Sequence, residues 1–211
     1  MPRIGDRAGS GVKRKLDFLR RCDRISAMLR RPALTLLLTL LAAPLAAQDT
    51  CGPIPDRTAL EDKLFEDLSR TRNAAEAAPI NAMLWEVWLE APDRAAAQAV
   101  TDGMAARRVA DFEAAEAIFS DLIDRCPDWA EGWNQRAFVR FLSADYGGAI
   151  TDLEAALERN PRHVGALSGL ALSLIGAGRN EAGQGALREA LALNPWLAER
   201  ALLDAPQGQD L

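Results

Sequence analysis

The chain has 211 residues, 49% of them hydrophobic, with 25 Lys or Arg, 30 Asp or Glu and one histidine, for a net charge of −5. The length suits one domain better than two. A single histidine excludes paired-histidine metal sites, and an acidic chain without a basic stripe lacks the electrostatic footprint of a nucleic-acid binder.

Residues 1–27 are basic and without apolar periodicity, and read as an extension upstream of a start at Met28, or else as a long basic leader. Met28-Leu29-Arg30-Arg31 then precedes an apolar run from Pro32 to Ala47 that ends in small residues before Gln48. A basic start, a short apolar core and a small-residue end make a secretory signal peptide over 28–47, cut after Ala47. The run from Pro32 to Ala47 is short of the roughly 20 residues that cross a bilayer as a helix. The alternative is an uncleaved anchor, the one route by which this chain would touch a membrane. The expected location is the periplasm.

Removal of residues 1–47 takes away ten basic and three acidic side chains, which leaves 15 basic against 27 acidic and a net charge of about −12. Of three cysteines, Cys51 and Cys126 remain. An even pair in an exported chain reads as a disulfide. A lipid-modified Cys51 is the rival reading, opposed by the polar Gln48-Asp49-Thr50 before it.

Within an amino-terminal segment of 48–92, Leu60, Leu64, Phe65 and Leu68 recur at helical spacing and predict a helix over about 57–72. A second helix is expected from Pro79 to about Glu90, carrying Leu84, Trp85 and Trp88. This pair has the length of a repeat without its signature and reads as an amino-terminal cap or a decayed repeat, its tryptophans expected to pack on the first repeat rather than bind a ligand.

Pro127, Pro161 and Pro195 then recur at one constant interval. At a fixed offset before each lies a small residue (Ala115, Ala149, Gly183), and one helical turn later a bulky apolar one (Phe119, Leu153, Leu187). The turns repeat too, as Ala110-Asp111-Phe112, Ala144-Asp145-Tyr146 and Gly178-Arg179-Asn180. Such a period is one helical hairpin, unable to bury its apolar face alone and forced to stack on its neighbours. Three units (94–127, 128–161 and 162–195) predict helices at about 94–109, 112–125, 128–142, 146–159, 162–176 and 180–193. A last amphipathic helix from Trp196 to Leu203 and a loose tail complete the segment 196–211. No strand pattern appears.

These units resemble the tetratricopeptide repeat family. Trp133, Ala137, Ala149, Leu153, Ala156 and Pro161 carry its pattern, as do Gly103, Ala115, Phe119 and Pro127 one unit earlier. Arg136 and Arg140 depart from it, standing where the pattern has apolar and aromatic residues, and Gly183 replaces its alanine. The resemblance implies an all-α, right-handed α-solenoid of stacked helical hairpins over about 93–195, with three repeats between capping helices. It also implies that the first helix of each hairpin lines a concave groove. The groove candidates are then Met104, Arg107 and Arg108 in the first unit, Asn134, Gln135, Phe138 and Phe141 in the second, and Ser168 in the third. Val100, Leu172 and Ile175 lie on the same faces, Leu172 and Ile175 being apolar enough to read as inter-repeat core. Two amides beside a phenylalanine can hydrogen-bond an extended backbone and hold an apolar side chain. Alternatively the amides are solvated and the phenylalanines are core.

No phosphate loop, Gly-x-Ser-x-Gly or Gly-x-Gly-x-x-Gly occurs. His163 is expected in the first turn of the third repeat with a partly exposed ring. The expected function is a noncatalytic periplasmic adaptor, without cofactor or metal, for a peptide or protein partner. The rival is an envelope enzyme or accessory subunit that handles cell-wall glycan through carboxylates.

Overall fold

The computed structural model describes residues 50–203, so the expected leader, its cleavage point and the end of the chain after Leu203 lie outside the described part. Among the described residues are eight α-helices: α1 (Thr58–Ser69), α2 (Ala74–Leu89), α3 (Arg94–Arg108), α4 (Phe112–Arg125), α5 (Ala130–Leu142), α6 (Tyr146–Arg159), α7 (Val164–Gly176) and α8 (Asn180–Leu193). A 3-10 helix, Ala198–Leu202, follows where an amphipathic α-helix was expected. No strand occurs among these residues.

Five of the eight helix starts have a side-chain cap. Asp93, Asp111 and Asp145 are the N-caps of α3, α4 and α6, their side chains accepting from the N–H of Ala96, Ala114 and Gly148. The helix α2 begins at Ala74, more than a turn before the expected Pro79. Asn73 caps it by accepting from Glu76 N–H, and Pro79 sits inside the helix. The Asn-x-x-Glu cap outweighs one missing backbone donor.

The hairpin turns share one geometry. Ala110, Ala144 and Gly178, which recur at the same interval as the prolines, have φ of 61°, 59° and 77°. Behind each, an N–H reaches back across the last turn (Asp111 to Ala106, Asp145 to Arg140, Arg179 to Leu174), closing the helix with a left-handed residue. Two turns place alanine where glycine fits without strain.

Inside each hairpin, two positions trade volume. Gly103, Ala137 and Ala171 of the first helices lie against the layer of Phe119, Leu153 and Leu187, and all three bulky side chains are at most 2% exposed. A Cβ on Gly103 would lie 2.5 Å from Phe119 Cζ. The largest partner therefore requires the smallest residue opposite, as close packing demands.

Arg136 and Arg140, which break the repeat pattern, converge on Asp152. Arg136 binds it through Nε at 2.9 Å and Nη2 at 2.8 Å, and Arg140 through Nη1 at 3.0 Å. Asp152 is 1% exposed, and its carboxylate holds the Arg136 guanidinium above its ordinary pKa. Glu116 and Ser120 receive the remaining arms of Arg140 and Arg136. A largely buried ion network thus stands beside the apolar contact that Trp129 and Val139 make with the first repeat.

The amino-terminal hairpin departs from expectation. Leu89 and Ala91, at the end of α2, do pack against the first repeat. Leu64, Leu68, Ala77, Leu84 and Trp88, however, form one cluster with Val164 of the third repeat, joined by Leu193, Trp196 and Leu197. Trp88 stacks on His163, ring centroids 4.3 Å apart, and Trp85 meets the same ring edge-on at 5.9 Å. Polar links repeat the connection: Asn160 to Glu61 at 3.0 Å, Asn194 to Asn81 at 3.0 Å and Trp196 Nε1 to Thr71 Oγ1 at 2.7 Å. The tryptophans therefore pack on the third repeat and not on the first, because the hairpin crosses the repeats instead of extending the stack.

Cys51 and Cys126 are disulfide-bonded, with Cα atoms 5.0 Å apart at a sequence separation of 75. Asp93 reinforces this corner: it accepts from Gly52 N–H and pairs with both Arg125 guanidinium nitrogens at 2.8 and 3.0 Å. Arg125 and two backbone N–H groups hold the Asp93 carboxyl far below the usual aspartate range.

Candidate functional site: a cleft between the repeats and the amino-terminal hairpin

The first helices of the three hairpins, α3, α5 and α7, contribute to one cleft of about 410 Å³, and α2 supplies Trp85 and Leu89 to it. Met104 and Arg107 come from α3, Asn134, Gln135, Phe138 and Phe141 from α5, and Ser168, Leu172 and Ser173 from α7. Arg108, the remaining groove candidate, is exposed and outside this lining. Val100 is buried in the core of the first repeat. Ile175 is partly buried and packs where a side chain on Gly183 would stand.

The two amides are buried and partnered. Asn134 and Gln135 are 7% and 6% exposed, and their amide nitrogens donate to the two oxygens of Glu131. Gln135 Oε1 accepts from Arg107 Nη1 at 2.6 Å. These contacts orient both side chains from within the fold, so the amide N–H groups are less available to a ligand than solvated ones. Phe138 is 46% exposed, and the Arg107 guanidinium lies 4.6 Å from its ring centroid. Burial pushes the Arg107 guanidinium below its ordinary pKa, with the Glu131 charge acting the other way.

His163 differs from its expected setting. The ring is fully buried, not partly exposed. It is the N-cap of α7: Nδ1 accepts from Ala166 N–H at 3.1 Å and Nε2 lies 2.9 Å from Glu131 Oε2. With Nδ1 as acceptor, Nε2 carries the proton and donates it to Glu131. Both ring nitrogens have structural partners.

A second cleft of about 470 Å³ lies between the segment Ile54–Thr58, α1, α2 and the starts of α5 and α7. It is lined by the buried carboxylates Glu61 and Glu131, by His163, and by Arg57, Arg159 and Arg162. Most of its charges are matched internally. Glu61 Oε1 accepts from Trp88 Nε1 and Asn160, Arg57 pairs with Glu90, and Arg162 pairs with Asp62 at 2.8 Å. The Cys51, Asp93 and Cys126 ligand atoms lie close together, but the sulfurs are bonded to each other and Asp93 holds Arg125, so no donor is left for a cation.

Sequence reasoning missed three features of the first cleft. Trp85 and Leu89 come from the hairpin, which carries no repeat signature. Ser173 has a legible signal: it stands one repeat period after Val139, and Val139 is a fully buried apolar position. A hydroxyl at an apolar repeat position is the anomaly.

No family model matches the chain. It is 33% identical over 123 residues to a TPR repeat-containing protein of Rhizobium etli, a match covering 57% of this chain and 59% of that protein. The Arabidopsis OM64 TPR domain superposes with a TM-score of 0.50 at 18% identity, over 52% of this chain and 90% of that domain. The three hairpins have the tetratricopeptide-repeat fold. The TPR2B domain of yeast Sti1, solved as a complex with an Hsp70 peptide, aligns with a TM-score of 0.49 at 22% identity over 52% of this chain and 90% of its own. The chain thus spans about three-fifths of the curated relative's length. Its tetratricopeptide hairpins carry the cleft, and the amino-terminal hairpin walls it on one side.

Proposed function

We propose that this chain is an exported, noncatalytic adaptor that holds a peptide or protein partner in the cleft walled by α2, α3, α5 and α7. The tetratricopeptide fold supports a protein-interaction scaffold in general. The observation that carries the specific reading is the half-exposed Phe138 with Arg107 over its ring at the mouth of an apolar cleft. A concave, mostly apolar site with few polar groups is the usual form of a binding pocket. Export is supported by the disulfide, which persists in oxidising compartments.

The rival glycan-handling reading needs two carboxylates free to exchange protons across a cleft. Glu61 and Glu131 line the second cleft, but their oxygens accept from Trp88, Asn160, Asn134, Gln135 and His163. Carboxylates so occupied act as structural acceptors.

The test is capture from envelope extract by the oxidised 48–211 protein and by its Phe138→Ala and Arg107→Glu variants. A partner lost with either variant, while circular dichroism is unchanged, supports the reading; equal capture by all three overturns it. Amino-terminal sequencing of the exported protein should begin at Gln48.

A further inference from the structure

Two charged side chains line the 410 Å³ cleft, Arg107 of α3 and Glu199 of the 3-10 helix. Neither forms an ion pair among the described residues. Arg107 Nη1 donates to Gln135 Oε1 and the guanidinium lies against the Phe138 ring, but no carboxylate comes within ion-pair distance of it. Glu199 accepts no hydrogen bond and meets no cation among the same residues. The two do not reach each other because they border different ends of the cleft. Arg107 sits near the end of α3 against α5, whereas Glu199 lies by the start of α7, where it also borders a smaller recess with Val164, Gly165 and Ser168. The second cleft is unlike this, since its Arg57 and Arg162 are paired with Glu90 and Asp62. Between Arg107 and Glu199 the lining is largely apolar, with Met104, Phe138, Phe141 and Leu172.

We infer that the cleft selects a partner segment by two opposite charges: an acidic side chain that pairs with Arg107 and a basic one that pairs with Glu199, with apolar residues between them. The inference rests on the reading of this cleft as the partner site and names the chemistry of what enters it. A segment that covers the cleft takes both lining charges out of water, and a charge so removed without a counter-charge is costly. A partner with one charge leaves the other lining group stranded, and a like charge at either end is repelled. Adjacent helices pack roughly 8–10 Å apart. A ligand that reaches both groups across α5 therefore bridges on the order of 10–15 Å, about three to five residues of extended chain. Its apolar side chains fill the middle of the cleft, where Phe138 is half exposed. Because Glu199 belongs to the 3-10 helix after the last hairpin, the repeats alone supply only one of the two charges.

The test uses acetylated and amidated peptides at two spacings, Glu-Leu-Leu-Lys and Glu-Ala-Leu-Leu-Ala-Lys, each with versions carrying Gln for Glu, Gln for Lys, and Gln for both. Each is titrated into the oxidised 48–211 protein and followed by amide chemical shifts. At one of the spacings the doubly charged peptide should bind about two- to fivefold more tightly than either singly charged one, the factor of one partly exposed ion pair, with shifts at Gly165, Gly169 and Leu172. Arg107→Gln should erase the preference for glutamate and keep that for lysine. Glu199→Gln should do the opposite, and Glu199→Lys should turn the preference for lysine into discrimination against it. Glu154→Gln, which removes an exposed acid of α6 and changes the net charge equally, should alter neither preference. Equal binding of the charged and neutral peptides, a lysine preference lost with Glu154→Gln, shifts elsewhere, or no binding would overturn the inference. If the peptides behave as expected but capture from extract ignores Phe138→Ala and Arg107→Glu, the charge selection stands and the adaptor reading falls. If capture depends on Phe138 but Glu199→Lys changes neither capture nor peptide preference, the inference falls and the adaptor reading stands.

Discussion

Trp88 of the amino-terminal hairpin and His163 of the third repeat stack at 4.3 Å with their planes 23° from parallel. Each is tied elsewhere: Trp88 Nε1 donates to Glu61, and His163 joins the α7 N-terminus to Glu131. The stack is therefore the joint between the amino-terminal hairpin and the repeats. Trp88→Ala should cost roughly 3 to 5 kcal/mol, the range for a large buried aromatic, read as a lowered urea midpoint. His163→Gln, which can still bond Glu131 but cannot stack as an imidazole does, should cost less than His163→Ala. Equal losses would mean the bond to Glu131 contributes nothing.

The disulfide has a thermodynamic consequence. A bridge closing a loop of this length restricts the unfolded chain and contributes on the order of 4 kcal/mol in the chain-entropy model. The pair Cys51→Ala and Cys126→Ala should unfold at a correspondingly lower denaturant concentration. Thiol counting on the unfolded, nonreduced protein should find neither Cys51 nor Cys126 free.

Asp93 makes stability depend on acid. Its folded pKa is depressed by Arg125 and by the N–H groups of Ala96 and Gly52, so its contribution is fully present above the unfolded value. It is lost as the pH falls below about 4, the ordinary aspartate range. Asp93→Asn keeps an oxygen to cap α3 but loses the partly exposed ion pair with Arg125, and should cost up to about 1 kcal/mol at neutral pH. It should also flatten the slope of stability against pH between about 4 and 2.

One turn position and one packed helix position predict changes of opposite sign at two small residues. Ala144→Gly relieves a left-handed alanine with φ of 59° and should stabilise by up to about 1 kcal/mol. Gly103→Ala drives a methyl group into the Phe119 ring and should destabilise by about 1 to 3 kcal/mol. The double variant Gly103→Ala with Phe119→Leu copies the pairing of the other two repeats and should recover part of the loss.

Arg136, Arg140 and Asp152 form one buried network, so their effects should not add. Asp152→Ala leaves two guanidinium groups without their shared acceptor and should cost about 3 kcal/mol or more. Adding Arg136→Leu to Asp152→Ala should restore stability, because it removes a stranded charge and returns an apolar residue to the repeat position. A double-mutant cycle from chemical unfolding measures the coupling.

Short-range periodicity makes the repeats legible in the amino-acid order alone. The interval between Pro127, Pro161 and Pro195, and the small and bulky residues at fixed offsets, are enough to specify helical hairpins that stack on their neighbours. The turn residues Ala110, Ala144 and Gly178 share their left-handed geometry for the same reason, since each closes an equivalent helix. Met104, Arg107, Asn134, Gln135, Phe138, Phe141 and Ser168 share one cleft because each lies on the first helix of its hairpin. Whatever joins distant, nonrepeating segments emerges only in three dimensions. Trp88 and Trp85 reach the third repeat because the amino-terminal hairpin crosses the stack, and no periodicity encodes that crossing. His163 is buried because Glu131, from the preceding repeat, and Trp88, in another hairpin, both converge on it. Asn134 and Gln135 are partnered because Glu131 lies one turn before them on α5, a spacing the sequence contains, but only packing put that carboxylate inside. Local patterns report which face of a helix is buried; they do not report what buries it.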